Sequence, residues 1–300
     1  PQRDANDDPD AWPSFRGVRA GGVAEGHVLP VVWDVAAGRN VLWRTPVAGL
    51  GHSSPVVWGG RVFLTTAVPE SGMPAPLRTG LYGDIEPVAD EGIHRWQVLC
   101  FDTASGELLW ERTAHVGGPR TRRHPKASHA NATPATDGVH VVASFGSEGL
   151  HCFDTRGELL WKVDLGVLDS GFFRVPKAQW GFASSPVIHN GRLFVQCDVN
   201  GDSFLAAFAV ASGKELWRTR RDDVPSWSTP TIVASEGLPQ LALNGFRCMG
   251  GYDLESGREL WRMAGGGDIP VPTPIVANGL MIFASAHGRV APLYAIHPSA

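Results

Sequence analysis

Cysteine is scarce in this 300-residue chain. There are four, Cys100, Cys152, Cys197 and Cys248, none adjacent and none in a Cys-x-x-Cys pair. That argues against a disulfide framework, and the four read as small apolar strand residues. Cys100 and Cys152 share one slot of a repeat (LCFDT, HCFDT), and equivalent slots on neighbouring units lie too far apart to bridge. No apolar run reaches the ~18 residues of a membrane-spanning helix. Net charge is −4 and no basic tract exists, which argues against a nucleic-acid partner. The densest basic run, Arg120, Arg122, Arg123, His124 and Lys126, reads as a solvated loop able to hold an anionic group. GxSxG, HExxH and phosphate-loop patterns are missing. The opening PQRDANDDPD is polar, lacks Met, and reads as a tail left by processing or trimming.

What is present is a repeat. SGELLW at 105–110 returns as RGELLW at 156–161, SGKELW at 212–217 and SGRELW at 256–261, with a weaker GRNVLW at 38–43. Each full copy follows an apolar segment: CFDT, CFDT, AFAV or GYDL. Gly supplies the positive φ of a tight hairpin, and Asp bonds the turn's own backbone. With 36 Gly and 23 Pro, the chain favours short elements and many turns.

A second signal precedes each copy: SSPVVW, ATPATD, SSPVIH, STPTIV and PTPIVA, from 53, 132, 184, 228 and 272. Pro is tolerated at a strand start because its missing N–H need not enter the ladder. The unit is therefore four strands: Pro strand, strand, aromatic-Asp strand, Trp strand. Pro to Trp spans 27 residues for 134→161 and 31 for 186→217 and 230→261. The first unit carries an insertion, giving long loops near 69–95, 111–132 and 162–183. Four-stranded units with a recurring Trp predict an all-β fold, a β-propeller of antiparallel blades. Trp43, Trp110, Trp161, Trp217 and Trp261 are expected to wedge between neighbouring sheets.

FDTASGELLW and YDLESGRELW resemble the tryptophan-docking repeat of the PQQ-like β-propellers. WPSFRG, GHSSPVVWGGRVFLTTA, FGSEGLHCFD and VNGDSFLAAF are similar to bacterial secreted proteins of that type, from about residue 12 onward. The resemblance implies seven or eight blades, of which about five are visible. It implies a periplasmic or extracellular location and either of two roles: quinoprotein alcohol or sugar dehydrogenase, or non-enzymatic scaffold of an envelope complex. The expected division is a lead-in, 1–30, and a single propeller domain, 31–300. Either residues 40–47 complete the fifth unit and close a small ring, or the chain is C-terminally incomplete; the second is preferred.

Quinoprotein chemistry would need PQQ, Ca²⁺ and a carboxylate base. The sequence has no Cys-Cys, and no acidic set maps onto a calcium site. Asp198, Asn200 and Asp202 in DVNGDS read as a polar turn. His124 and His129 lack the spacing and flanking carboxylate of a zinc site, so no metal or catalytic residue is assigned. Pro strands are innermost in such propellers, so the residues before them ring one channel mouth. That makes His52, Lys126, His129, Asn131, Trp180 and Trp227 the candidate ligand-binding rim. The leading expectation is a non-enzymatic binding or scaffold module for a protein or small ligand. A PQQ-dependent dehydrogenase and a carbohydrate-binding propeller are the alternatives.

Overall fold

A computed structural model describes residues 10–24, 26–78, 86–175, 177–234, 239–285 and 291–297. It contains five antiparallel sheets, each a meander in chain order. The first is β1 (Val56–Trp58), β2 (Arg61–Pro69), β3 (His94–Asp102) and β4 (Leu108–Gly117). The second is β5 (Ala135–Thr136), β6 (His140–Ser144), β7 (Leu150–Asp154) and β8 (Leu159–Val163). The third is β9 (Val187–His189), β10 (Arg192–Cys197), β11 (Phe204–Ala209) and β12 (Glu215–Arg220). The fourth is β13 (Thr231–Val233), β14 (Gln240–Leu243), β15 (Cys248–Asp253) and β16 (Glu259–Ala264). The fifth has three strands, β17 (Ile275–Ala277), β18 (Leu280–Ala284) and β19 (Leu293–Ile296). Residues 40–47 join no strand of that sheet among the described residues.

A separate apolar core fills each gap between successive sheets. Phe63, Val98 and Trp110 of the first sheet pack with Val141, Ala143 and Phe153 of the second. Phe194, Leu205 and Ala207 of the third pack with Leu241 and Tyr252 of the fourth. No sheet buries both faces by itself; its neighbours do so.

The repeated Trp is explained by register. In four sheets the pairing of third and fourth strands shifts by one residue at the same place. The bulge leaves Trp110, Trp161, Trp217 and Trp261 opposite Cys100, Cys152, Ala207 and Gly251. All four partners are small, as a large ring on the same face requires. This accounts for the equivalent cysteines: each fills a small apolar slot beside a Trp. All four cysteines are free and buried.

Four rings then reach the next sheet. The indole N–H groups of Trp43, Trp110, Trp161 and Trp217 donate to the carbonyls of Thr103, Thr155, Val210 and Leu254, at 2.8–3.2 Å. Trp261 differs, donating within its own sheet to Gln240 Oε1 at 2.6 Å. Asp102 Oδ1 accepts from the backbone N–H of Ala104 and Ser105, holding the intervening turn.

The Ser or Thr before each Pro has a further role. The backbone N–H of Ser54 donates to Thr133 Oγ1 at 2.9 Å, that of Thr133 to Ser185 Oγ at 3.0 Å, and that of Ser185 to Thr229 Oγ1 at 3.1 Å. Each hydroxyl thus links one innermost strand to the next. Residues 11–22, assigned by sequence to the lead-in, pack against these strands. Trp12 bridges Val57, Pro13 O accepts from Thr136 N, and Ala20 lies fully buried in the core between the third and fourth sheets. Residues 1–9 lie outside the described residues.

Candidate functional site at the channel mouth

The starts of β5, β9 and β13 and the loops before them border an open cavity of about 550 Å³. Of the six rim residues expected from sequence, His52, Lys126, Asn131, Trp180 and Trp227 line it; His129 does not. Thr133, Ser185 and Thr229 of the inner hydroxyl relay contribute to the wall. Phe15 joins them, while the nearby Trp12 and Pro13 bond to Val57 in the middle of β1 and to Thr136 at the end of β5. Sequence reading missed Phe15 because WPSFRG stands outside every repeat.

The wall is aromatic. Trp180 and Trp227 lie 5.4 Å apart between centroids, inclined at 38°. Phe172 stacks on Trp180 at 5.2 Å and 2°, and His124 meets it edge-on at 5.6 Å. Trp227 is pinned by its N–H to the Gly181 carbonyl at 2.9 Å. Trp180 Nε1 is buried with no hydrogen-bond partner among the described residues. An unmet buried donor costs about 1–3 kcal/mol.

The polar residues divide into held and facing groups. Asn131 is structural: its Oδ1 accepts from Ser128 N–H at 2.9 Å and its Nδ2 donates to Phe182 O at 3.2 Å. His52 is exposed at the rim, and its backbone N–H is tied to Ala130 O at 2.9 Å. Partial desolvation, reinforced by the Arg123 charge, holds the His52 imidazole below its ordinary pKa. Lys126 is exposed on the loop that carries His124.

The DVNGDS residues lie elsewhere and do not form one ion site. Asp198 is fully buried and accepts from Arg221 Nε at 2.7 Å and Ser226 Oγ at 2.7 Å. Asn200 bonds Asp169, while Asp202 is exposed beside Arg220.

The PQQ_2 family, described as outer membrane protein assembly factor BamB, matches residues 94–248 and 201–296. The chain belongs to this family. Among solved structures, the PQQ_2 chain is similar to the quinohemoprotein alcohol dehydrogenase ADHIIG from Pseudomonas putida HK5. The TM-score is 0.59 at 14% identity, over 97% of this chain and 47% of that one. A europium-containing methanol dehydrogenase gives 0.55 at 10% identity, over 98% and 55%. BamB from Moraxella catarrhalis gives 0.46 at 14% identity, over 86% and 74%. This chain thus spans about half the length of the two dehydrogenases. No curated protein sequence matches it. At these identities the likeness establishes a PQQ-like β-propeller and nothing about chemistry. No helix among the described residues is long and apolar enough to cross a membrane.

Proposed function

We propose that this chain is a non-catalytic binding or scaffold propeller of the cell envelope, acting as one body from the 11–22 segment through the repeats. Its site is the channel-mouth cavity, which takes a flat ring from a small molecule or a protein side chain. The observation that carries this reading is the Trp180–Trp227 pair with an unmet indole N–H beside it. A cavity of about 550 Å³ suits a ligand of drug-like size. The Lys126 charge at the rim favours a ligand bearing a carboxylate or other anionic group on its edge.

PQQ with Ca²⁺ is the cofactor pair that the family resemblance implies. Calcium needs carboxylate and carbonyl oxygens, and the oxidation needs a carboxylate base. The described residues lining the cavity include no Asp or Glu. They do not fit the ion, and no step is derived through it. A quinoprotein dehydrogenase is therefore the second reading, favoured by fold likeness alone.

The test is a fluorescence titration with PQQ, with and without Ca²⁺, followed by retention on polysaccharide columns. Saturable quenching by PQQ or retention on a glycan, weakened at least about tenfold by Trp180→Phe, is expected for stacking and N–H donation at this wall. Ca²⁺-dependent quenching with alcohol- or sugar-driven dye reduction would overturn the non-catalytic reading. Binding unaffected by Trp180→Phe would move the site elsewhere.

A further inference from the structure

Asp90, His94 and His129 meet at the edge of the first sheet, away from the aromatic wall. Asp90 comes from the long β2–β3 connection, His94 opens β3, and His129 comes from the β4–β5 connection. One ligand-capable atom from each lies within 4.8 Å of the other two. His129 Nε2 stands 3.2 Å from Asp90 Oδ1. Two ligand atoms on a tetrahedral Zn²⁺ with bonds of ~2.0–2.1 Å are ~3.3 Å apart, so this spacing already suits the ion.

The surroundings orient the set. His94 Nδ1 lies 2.7 Å from the Gly92 carbonyl oxygen. That contact places the proton on Nδ1 and leaves the lone pair on Nε2, as outer partners do for metal-bound histidines. Buried Arg123 donates to Asp90 Oδ2 at 2.6 Å and to Ala127 O at 2.8 Å, fixing the carboxylate while Oδ1 turns to the histidine. A void of about 10 Å³ is bounded by the three side chains, Arg123 and the apolar Leu50 and Pro74. It is about the size of one water-sized particle.

A simple ion pair explains less. Neutralising Arg123 needs Asp90 only. It does not account for a second imidazole, whose ring centroid lies 5.1 Å from that of His129, on the same void.

We propose that Asp90, His94 and His129 bind one Zn²⁺, with water as the fourth ligand, tying the β2–β3 connection to the β4–β5 connection. Two imidazoles and one carboxylate are the donors of an open tetrahedral zinc site. The sequence could not show it, because the carboxylate lies 39 residues from His129.

The experiment uses tag-free protein, stripped with chelator and dialysed against Zn²⁺ or Co²⁺. Metal analysis is expected to give one equivalent of Zn²⁺, and Co²⁺ to give the intense visible bands of a tetrahedral site. The His94→Gln/His129→Gln double variant is expected to bind at least about 100-fold more weakly, more than the loss of an outer-shell partner costs. Asp90→Asn keeps an oxygen for Arg123 and should weaken binding too. Less than stoichiometric Zn²⁺, equal binding by the double variant, or a weak octahedral Co²⁺ spectrum would each overturn the proposal. If the variants do not fold, the stoichiometry and Co²⁺ spectrum of the unaltered protein decide it.

Discussion

The indole N–H of Trp110 donates to the carbonyl of Thr155 in the next sheet, 3.0 Å away, and its ring occupies the space that a side chain on Gly157 would need. Gly157 has φ +88°, and an added Cβ would lie 2.9 Å from Trp110 Cδ2. Gly59 has φ +54° with nothing within 4 Å of an added Cβ. Gly59→Ala is therefore expected to cost only the left-handed backbone, about 1–2 kcal/mol. Gly157→Ala should add about 1–3 kcal/mol of overpacking against the ring. Urea unfolding of both variants measures the difference, and equal losses would show that the ring does not fill that space.

The hydroxyl relay makes a paired prediction. Thr133→Val leaves the Ser54 N–H without its acceptor and is expected to cost about 1–3 kcal/mol. The fifth copy of the position, Thr273, has a buried hydroxyl with no partner among the described residues. Thr273→Val is expected to be neutral or stabilising, since it removes an unmet group without orphaning another. Thermal melts of the two variants should move apart, and a common downward shift would count against the relay.

The sheets could be read from the sequence because their cause is local and repeated. Gly at the turn, Asp before it, Pro at the strand start and Trp opposite a small residue are all written within one unit. Five of the six residues expected at the rim line one cavity, because the starts of the Pro strands come together there. The rest depends on distant pairings. Phe15 reaches the cavity only because residues 11–22 cross the inner strands. Asp90 meets His129 only after a non-repeating insertion folds back. Trp180 and Trp227 stood out by lying off the repeat, but their contact joins two different units. Asp198 read as a turn residue, yet its partner Arg221 lies 23 residues away on the far side of a hairpin.

The cysteines predict silence. Burial pushes the Cys100 thiol up to about 12 and raises Cys152, Cys197 and Cys248 as well. Reaction needs an accessible thiolate. A thiol reagent at pH 8 should therefore find no fast-reacting group in the native protein, and four in guanidinium. Two missing thiols after denaturation would reveal a disulfide instead.

His151 predicts a loss of stability in mild acid. Its ring is buried against Phe145, with centroids 5.8 Å apart. Nε2 lies 3.0 Å from the Glu148 carbonyl oxygen and so carries the proton, while Nδ1 is buried without a partner among the described residues. Burial lowers the pKa to about 4, and nearby Lys162 and His115 push the same way, against the pull of the Glu148 carbonyl. The folded value lies below the ordinary ~6.5 of an unfolded chain. Between pH 6.5 and about 4 the unfolded state therefore takes up a proton that the folded state refuses. Stability from this group is level above that window, falls as pH drops through it, and levels again below it. The loss by pH 4 is on the order of 3 kcal/mol at ~1.4 kcal/mol per unit. His52, His94 and His115 are also lowered and act with the same sign, so the informative quantity is a difference between proteins. Urea unfolding of the native chain and of His151→Gln at pH 7, 6, 5 and 4.5 should give curves that converge as pH falls. Parallel curves would mean that His151 is already charged in the folded protein, or that its pocket admits water.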